Sequence, residues 1–152
     1  MSNHNLVFDC SSAVFSGGKF GKLGHGDEAP KALPTRVMGE LAELRVVQVS
    51  AGKAHTAALT DGGTVYIWGE KGFKLGRSEL CGSDALLPTQ VQGALENKIV
   101  SHVCAADSHT LFLTSEQEMY ACGSGANDKL GLGDCDNRDT PTLVYISEPK
   151  VE

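Results

Sequence analysis

The chain has 152 residues, 41 % of them apolar, and a formal net charge of −6. That length supports one ordinary core, and the acidic balance excludes the basic face that a phosphate backbone requires. Five cysteines, an odd number with no CxxC pair, exclude a disulfide framework and a zinc-finger spacing, and no apolar run nears the ~20 residues of a membrane span.

In chain order, the same pattern is met three times. The first copy, residues 1–43, lacks its beginning. It runs His4-Asn-Leu-Val-Phe-Asp, then Ala13-Val-Phe-Ser-Gly-Gly18, Lys22-Leu-Gly24 and Leu33-Pro-Thr-Arg-Val37. The second copy, residues 44–97, holds Val46 to Ala51, His55-Thr-Ala-Ala-Leu-Thr60, Thr64-Val-Tyr-Ile-Trp-Gly69, Lys74-Leu-Gly76 and Leu87-Pro-Thr-Gln-Val91. The third, residues 98–152, repeats it as Val100 to Ala105, His109 to Thr114, Glu118-Met-Tyr-Ala-Cys-Gly123, Lys129-Leu-Gly131 and Thr140-Pro-Thr-Leu-Val144. His55 and His109 stand 54 residues apart. A self-similar unit of this length is a repeat architecture.

Each copy reads as four short strands. In the second they are Val46–Ala51, Thr56–Thr60, Val65–Trp68 and a segment around Pro88–Val91. Asp61-Gly62-Gly63 is a hairpin signal, and a proline opening the last segment suits an edge strand. Val65 and Ile67 point to one face, Tyr66 and Trp68 to the other. A strand apolar on both faces must be covered on both. The first strand ends Ser50-Ala51-Gly52, against Cys104-Ala105-Ala106, small residues suited to a crowded axis. Four strands at this period predict an all-β fold, a β-propeller built of stacked antiparallel blades.

These residues resemble the regulator of chromosome condensation repeat family. The shared signature is a small-residue strand, His-Thr, a hydrophobic strand, Val-Tyr-x-Trp-Gly, Gly-x-Leu-Gly and Pro-x-x-Val. Val46 to Gly76 carries nearly all of it; the third copy departs at Cys122, where the pattern has Trp, and at Ala106, where it has Gly. The resemblance implies rings of about seven blades, which needs roughly 370 residues. The expected object is therefore a partial propeller arc of about three blades. A fragment of a longer protein is the favoured explanation, ahead of a propeller completed by another chain or a self-assembled ring.

The loop Gly18-Lys-Phe-Gly-Lys-Leu-Gly-His-Gly-Asp27 looks like a phosphate cradle. It fails as a P-loop because Ser16 and Leu23 stand where Gly and Ser/Thr are needed. Gly24 to Ala29 fits G-x-G-x-x-A, but Pro30 follows and no helix opens there. The loop recurs in all three copies, so Gly24, Gly76 and Gly131 are expected to serve backbone geometry, with Leu23 plugging the space between blades. Lys19, Phe20 and Lys22 remain as contacts for a partner. His4, His55 and His109 occupy one place in successive blades and are expected to bond backbone groups at the inner turns. Trp68 joins this structural set. Gly133 to Asp139 is acidic, yet its spacing fails for an EF-hand at Arg138. Cys104 and Cys122 lie in apolar runs and are expected to be buried. No nucleophile-and-base constellation stands out, so no catalytic, metal or cofactor site is expected.

Function is expected on the loops that vary over the repeated frame. The candidate protein-binding residues are Lys53, Lys71, Phe73, Lys74, Asp107, Asn127 and Asp128, with Phe73 as the aromatic anchor. The expected partner is another protein. The resemblance implies guanine-nucleotide exchange on a small GTPase as the second reading. A cytoplasmic or nuclear location is expected, since the start of the chain has no charged-then-apolar leader pattern.

Overall fold

The computed structural model describes residues 18–33, 35–78 and 82–145. Alternation and turn chemistry place the strands close to where the sequence predicts them. In the second copy they are β1 (Val46–Ala51), β2 (His55–Thr60), β3 (Val65–Gly69) and β4 (Ala85–Gln90). In the third they are β5 (Val100–Ala105), β6 (His109–Thr114), β7 (Met119–Gly123) and β8 (Arg138–Val144). They form two antiparallel four-stranded sheets, ordered β1-β2-β3-β4 and β5-β6-β7-β8. Each sheet is a blade, and the two stack face to face in a partial propeller arc.

The fourth strands are longer than the expected Pro88–Val91. Pro88 and Pro141 lie inside β4 and β8 rather than at their starts. Pairing is irregular there, between Ile67↔Thr89 and Gly69↔Ala85, and again between Ala121↔Thr142 and Gly123↔Arg138. A proline sits in such a gap without removing a ladder bond.

All of β2 and β3 is buried, including Ile67 and Trp68. The core joins Ala57, Leu59, Tyr66, Trp68 and Leu75 of the second blade to Val103, Phe112 and Tyr120 of the third. Inner strands β1 and β5 are bridged by Gln48, whose Nε2 donates to the Val103 carbonyl at 2.8 Å while its Oε1 accepts from the Val103 N–H at 3.1 Å. The Ala105 N–H donates to Ser50 Oγ at 2.8 Å.

The crowding expected at the end of the first strand falls at Gly52 rather than Ala51, which is exposed. A Cβ on Gly52 would stand 2.3 Å from the Ala106 carbonyl oxygen and 2.7 Å from the His55 ring. Cys122 is fully buried and burial pushes its thiol up to about 12. Cys104, expected in the core, is exposed. It lies on the face of β5 turned away from the Phe112 core, where β1 carries Ser50.

Most of the first copy's strand positions, His4 included, lie outside the described residues. Gly18–Gly24 forms a loop with a 3-10 turn at Lys19–Gly21, and Gly39–Leu41 forms another. The expected strand at Leu33–Val37 has no strand pairing among its described residues. Val37 and Leu41 are nonetheless buried, and Leu41 joins the core of the second blade.

Candidate interaction edge

In each blade the first hairpin turn and the loop after the third strand share one sheet edge. The pairing His55↔Gly69 fixes this in the second blade, and the Glu70 N–H donates to the Ala54 carbonyl at 2.8 Å. In the third, His109↔Gly123 does the same and the Ser124 N–H donates to the Ser108 carbonyl at 2.9 Å. Lys53, Lys71 and Phe73 therefore share an edge, as do Asp107, Asn127 and Asp128. All six are exposed.

Lys74 behaves otherwise. It is buried at 8 % exposure, and its ammonium donates to Glu70 Oε2 at 2.7 Å and to the Lys71 carbonyl at 3.4 Å. Its own carbonyl accepts from Thr110 Oγ at 2.7 Å and from Cys122 Sγ at 3.6 Å. Lys74 is thus a fastener between blades, and its place among the partner contacts is corrected. The same device ties the first loop to the second blade: the Lys22 carbonyl accepts from Thr56 Oγ at 2.9 Å and from Trp68 Nε1 at 2.8 Å. A fixed residue type thus carries a main-chain acceptor into the next repeat.

The glycine after each of these lysine-leucine pairs has positive φ, at 74° for Gly24, 64° for Gly76 and 66° for Gly131. At Gly24 space matters as much as φ, since a Cβ would stand 2.8 Å from Trp68 Nε1. Leu75 and Leu130 are buried as plugs. Leu23, expected to plug likewise, is half-buried.

His55 does not bond the backbone as expected. Its Nε2 lies 2.9 Å from Thr110 Oγ in the next blade. The hydroxyl proton is committed to the Lys74 carbonyl, so the imidazole donates through Nε2–H. Nδ1 is buried without a hydrogen-bond partner among the described residues. Burial, with the nearby Lys74 charge second, lowers the His55 pKa to about 3. His109 is half-buried, and its pKa is also lowered, chiefly by burial. The residues missed in the sequence are Thr56 and Thr110. Their recurrence directly after His was the signal.

The loop tips differ between copies. Phe20 has a φ of 63°, which is strained for an aromatic residue. Lys19 Nζ lies 4.8 Å from its ring centroid. Phe73 is 41 % exposed. Asn127 and Asp128 also have positive φ, and Asp128 Oδ1 accepts from the Gly133 N–H. In the acidic stretch, Asp134 pairs with Arg138 at 2.6 Å and accepts from the Asp136 N–H, so that carboxylate serves its own loop.

The Regulator of chromosome condensation (RCC1) repeat profile matches residues 12–59 and 62–113, and a second RCC1 repeat profile matches 46–73. The chain belongs to the RCC1 repeat family. It is 36 % identical to the human (Homo sapiens) E3 ubiquitin-protein ligase HERC2 over 157 aligned positions, covering 98 % of this chain and 3 % of HERC2. It is 33 % identical to the Ultraviolet-B receptor UVR8 of Arabidopsis thaliana, covering 93 % of this chain and 32 % of the receptor. The chain thus spans a third or less of the length of these relatives. Among solved structures it superposes on Prp20p from Saccharomyces cerevisiae with a TM-score of 0.75 at 20 % identity, over 88 % of this chain and 34 % of Prp20p. That likeness shows the RCC1-type propeller fold.

Proposed function

We infer that this RCC1-repeat arc is a protein-interaction module that holds another protein on its loop edge. One observation carries the reading. The fastening residues recur from blade to blade, while the tips change from Lys53 to Asp107 and from Phe73 to the Asn127-Asp128 pair. Fixed frame and varied tips are how a repeat fold separates stability from recognition. The chain is read as a binder rather than a catalyst, with repeats bounded at 43/44 and 97/98, working in the cytoplasm or nucleus. No described helix is long and apolar enough to cross a membrane.

Guanine-nucleotide exchange on a small GTPase is the second reading. Its support is the likeness to Prp20p, whose structure is described together with its binding properties to Gsp1p and histones. Failure of micromolar chain to accelerate GDP release from a GTPase panel would exclude it.

A photo-crosslinking side chain at position 73 tests the main reading, with Ile99 as control. Ile99 is exposed and packs on Gly63, at the opposite edge of the sheet. Protein adducts from position 73 and none from 99 are expected. Equal adducts from both, or adducts from 99 alone, would overturn the loop edge.

A further inference from the structure

The chain carries a net charge of −6, yet one stretch of its loop edge is basic. Lys19, Lys53 and Lys71 are exposed there, and none is ion-paired among the described residues. They belong to neighbouring loops. The first loop is pinned to the second blade through the Lys22 carbonyl, and the loops of Lys53 and Lys71 are joined by the Glu70–Ala54 hydrogen bond. Two of the nearby acids are paired with other lysines, and a third, Asp84, stays at this edge with its charge beside Lys71. Asp27 pairs with Lys31 at 2.9 Å, Glu70 with Lys74 at 2.7 Å, and Asp84 accepts the Lys71 N–H at 2.8 Å. Asp27 and Glu28 are both exposed, and Glu28 is in no ion pair among the described residues.

Two aromatic side chains stand among the lysines, Phe73 at 41 % exposure and Phe20 half-buried. One repeat later the sign inverts. Asp107 replaces Lys53 at the same position of the first turn, and Asp128 sits at the loop tip beside Asn127. The edge is thus basic and aromatic over the first two repeats, whereas over the described residues of the third Asp107 and Asp128 outnumber the one exposed lysine, Lys129, which lies 3.3 Å from Ser108 Oγ.

We propose that the loop edge of the first two repeats is the docking site of an acidic peptide segment bearing an apolar side chain. Its carboxylates meet Lys19, Lys53 and Lys71, and its apolar side chain lies on Phe73. This rests on the loop-edge reading above and names the partner's chemistry. A short segment fits better than nucleic acid. A long polyanion lying across the arc would run onto Asp107 and Asp128, and like charges repel it there. The same acids fix the direction of the segment, since a basic residue at one end of it would meet the third repeat.

Fluorescence anisotropy of the full chain with a labelled ten-residue peptide of alternating Glu and Leu tests this. A Lys-and-Leu peptide and a ten-nucleotide thymidine oligonucleotide serve as the other probes. Saturable binding of the acidic peptide is expected, weakening as salt rises. The double variant K53E/K71E should lose about tenfold or more in affinity, and Asp107→Lys should gain a few-fold. Both sites are exposed, so an unchanged urea midpoint confirms intact folding. Phe73→Ala should weaken this peptide more than one with Ala in place of Leu.

Unchanged affinity in K53E/K71E would overturn the proposal, as would equal binding of the oligonucleotide. A concentration-dependent dimer of the chain that K53E/K71E abolishes would assign the edge to a second copy instead. If the acidic peptide fails while position 73 still yields protein adducts, only the acidic chemistry falls. If the adducts fail too, the loop-edge reading falls with it.

Discussion

The second and third blades have the same strands in the same register, yet they are not equally enclosed. Every residue of β2 is buried, whereas β6 alternates buried and half-buried positions. Ala57 and Leu59 are at 0 % and 2 % exposure; their counterparts Leu111 and Leu113 are half-buried. His55 donates to Thr110 in the following blade, while His109 is half-buried and has no such partner among the described residues. Ala121, Leu130 and Val144 form a small cluster apart from the main core, with Leu111, Met119 and Leu132 packed around it. A blade in this fold draws much of its burial and polar fastening from its neighbour. Among the described residues, the second blade is packed on both faces and the third on one.

Ways to break this comparison run from large to small. Trp68→Ala should be the most damaging change. It opens a cavity between blades and removes the indole donor from the Lys22 carbonyl, at a cost of about 3–5 kcal/mol. Cys122→Ala, at the corresponding site of the third blade, should cost only about 1 kcal/mol. Urea unfolding compares them, and equal losses would remove the distinction.

Thr110→Val comes next. It keeps the side-chain volume but strips the hydroxyl shared by His55 and the Lys74 carbonyl. The two buried polar groups left behind imply a loss of about 2–3 kcal/mol. Thr56→Val removes the hydrogen bond to the Lys22 carbonyl and should cost less.

Acid should act through His55. The unfolded imidazole takes its proton near pH 6.5, whereas the buried one resists until about pH 3. Between those values the unfolded chain binds more protons, so stability is full above pH 6.5 and falls as the pH drops. The slope from this group approaches about 1.4 kcal/mol per pH unit. His109, lowered in the same direction but half-buried, adds a smaller part. Urea midpoints between pH 7 and 5, above the carboxylate range, check this. His55→Gln should flatten the slope more than His109→Gln, and equal flattening would contradict the difference in enclosure.

The smallest effect is expected at the loop tips. Lys71→Ala leaves the backbone N–H on Asp84 in place and should shift stability by less than ~0.5 kcal/mol. A larger loss would move Lys71 from the recognition edge into the frame, as happened to Lys74.

The strands were legible because alternation and turn residues act over a few neighbours. Val46–Ala51 was located to the residue, and the two apolar faces of Val65–Trp68 already required cover on both sides. What the pattern hid was longer in reach. His55 and Thr110 meet across 55 residues, and no local period encodes which atom takes the imidazole proton. Lys74 read as a loop cation because its spacing is that of a tip, yet its carbonyl is the acceptor for Thr110 and Glu70 neutralises its ammonium. Cys104 looked like core because its neighbours are apolar, but alternation turns it to the face that Ser50 occupies one blade earlier. The interaction edge was half legible. The sequence marks the varied tips, and only the sheet register shows that Lys53 and Lys71 share one edge.

Native-state amide hydrogen exchange tests the unequal enclosure of the two blades most directly. Ala57 and Leu59 in the second blade should exchange about tenfold or more slowly than Leu111 and Leu113, their half-buried counterparts in the third. Equal protection in the two blades, or slower exchange in the third, would contradict the account.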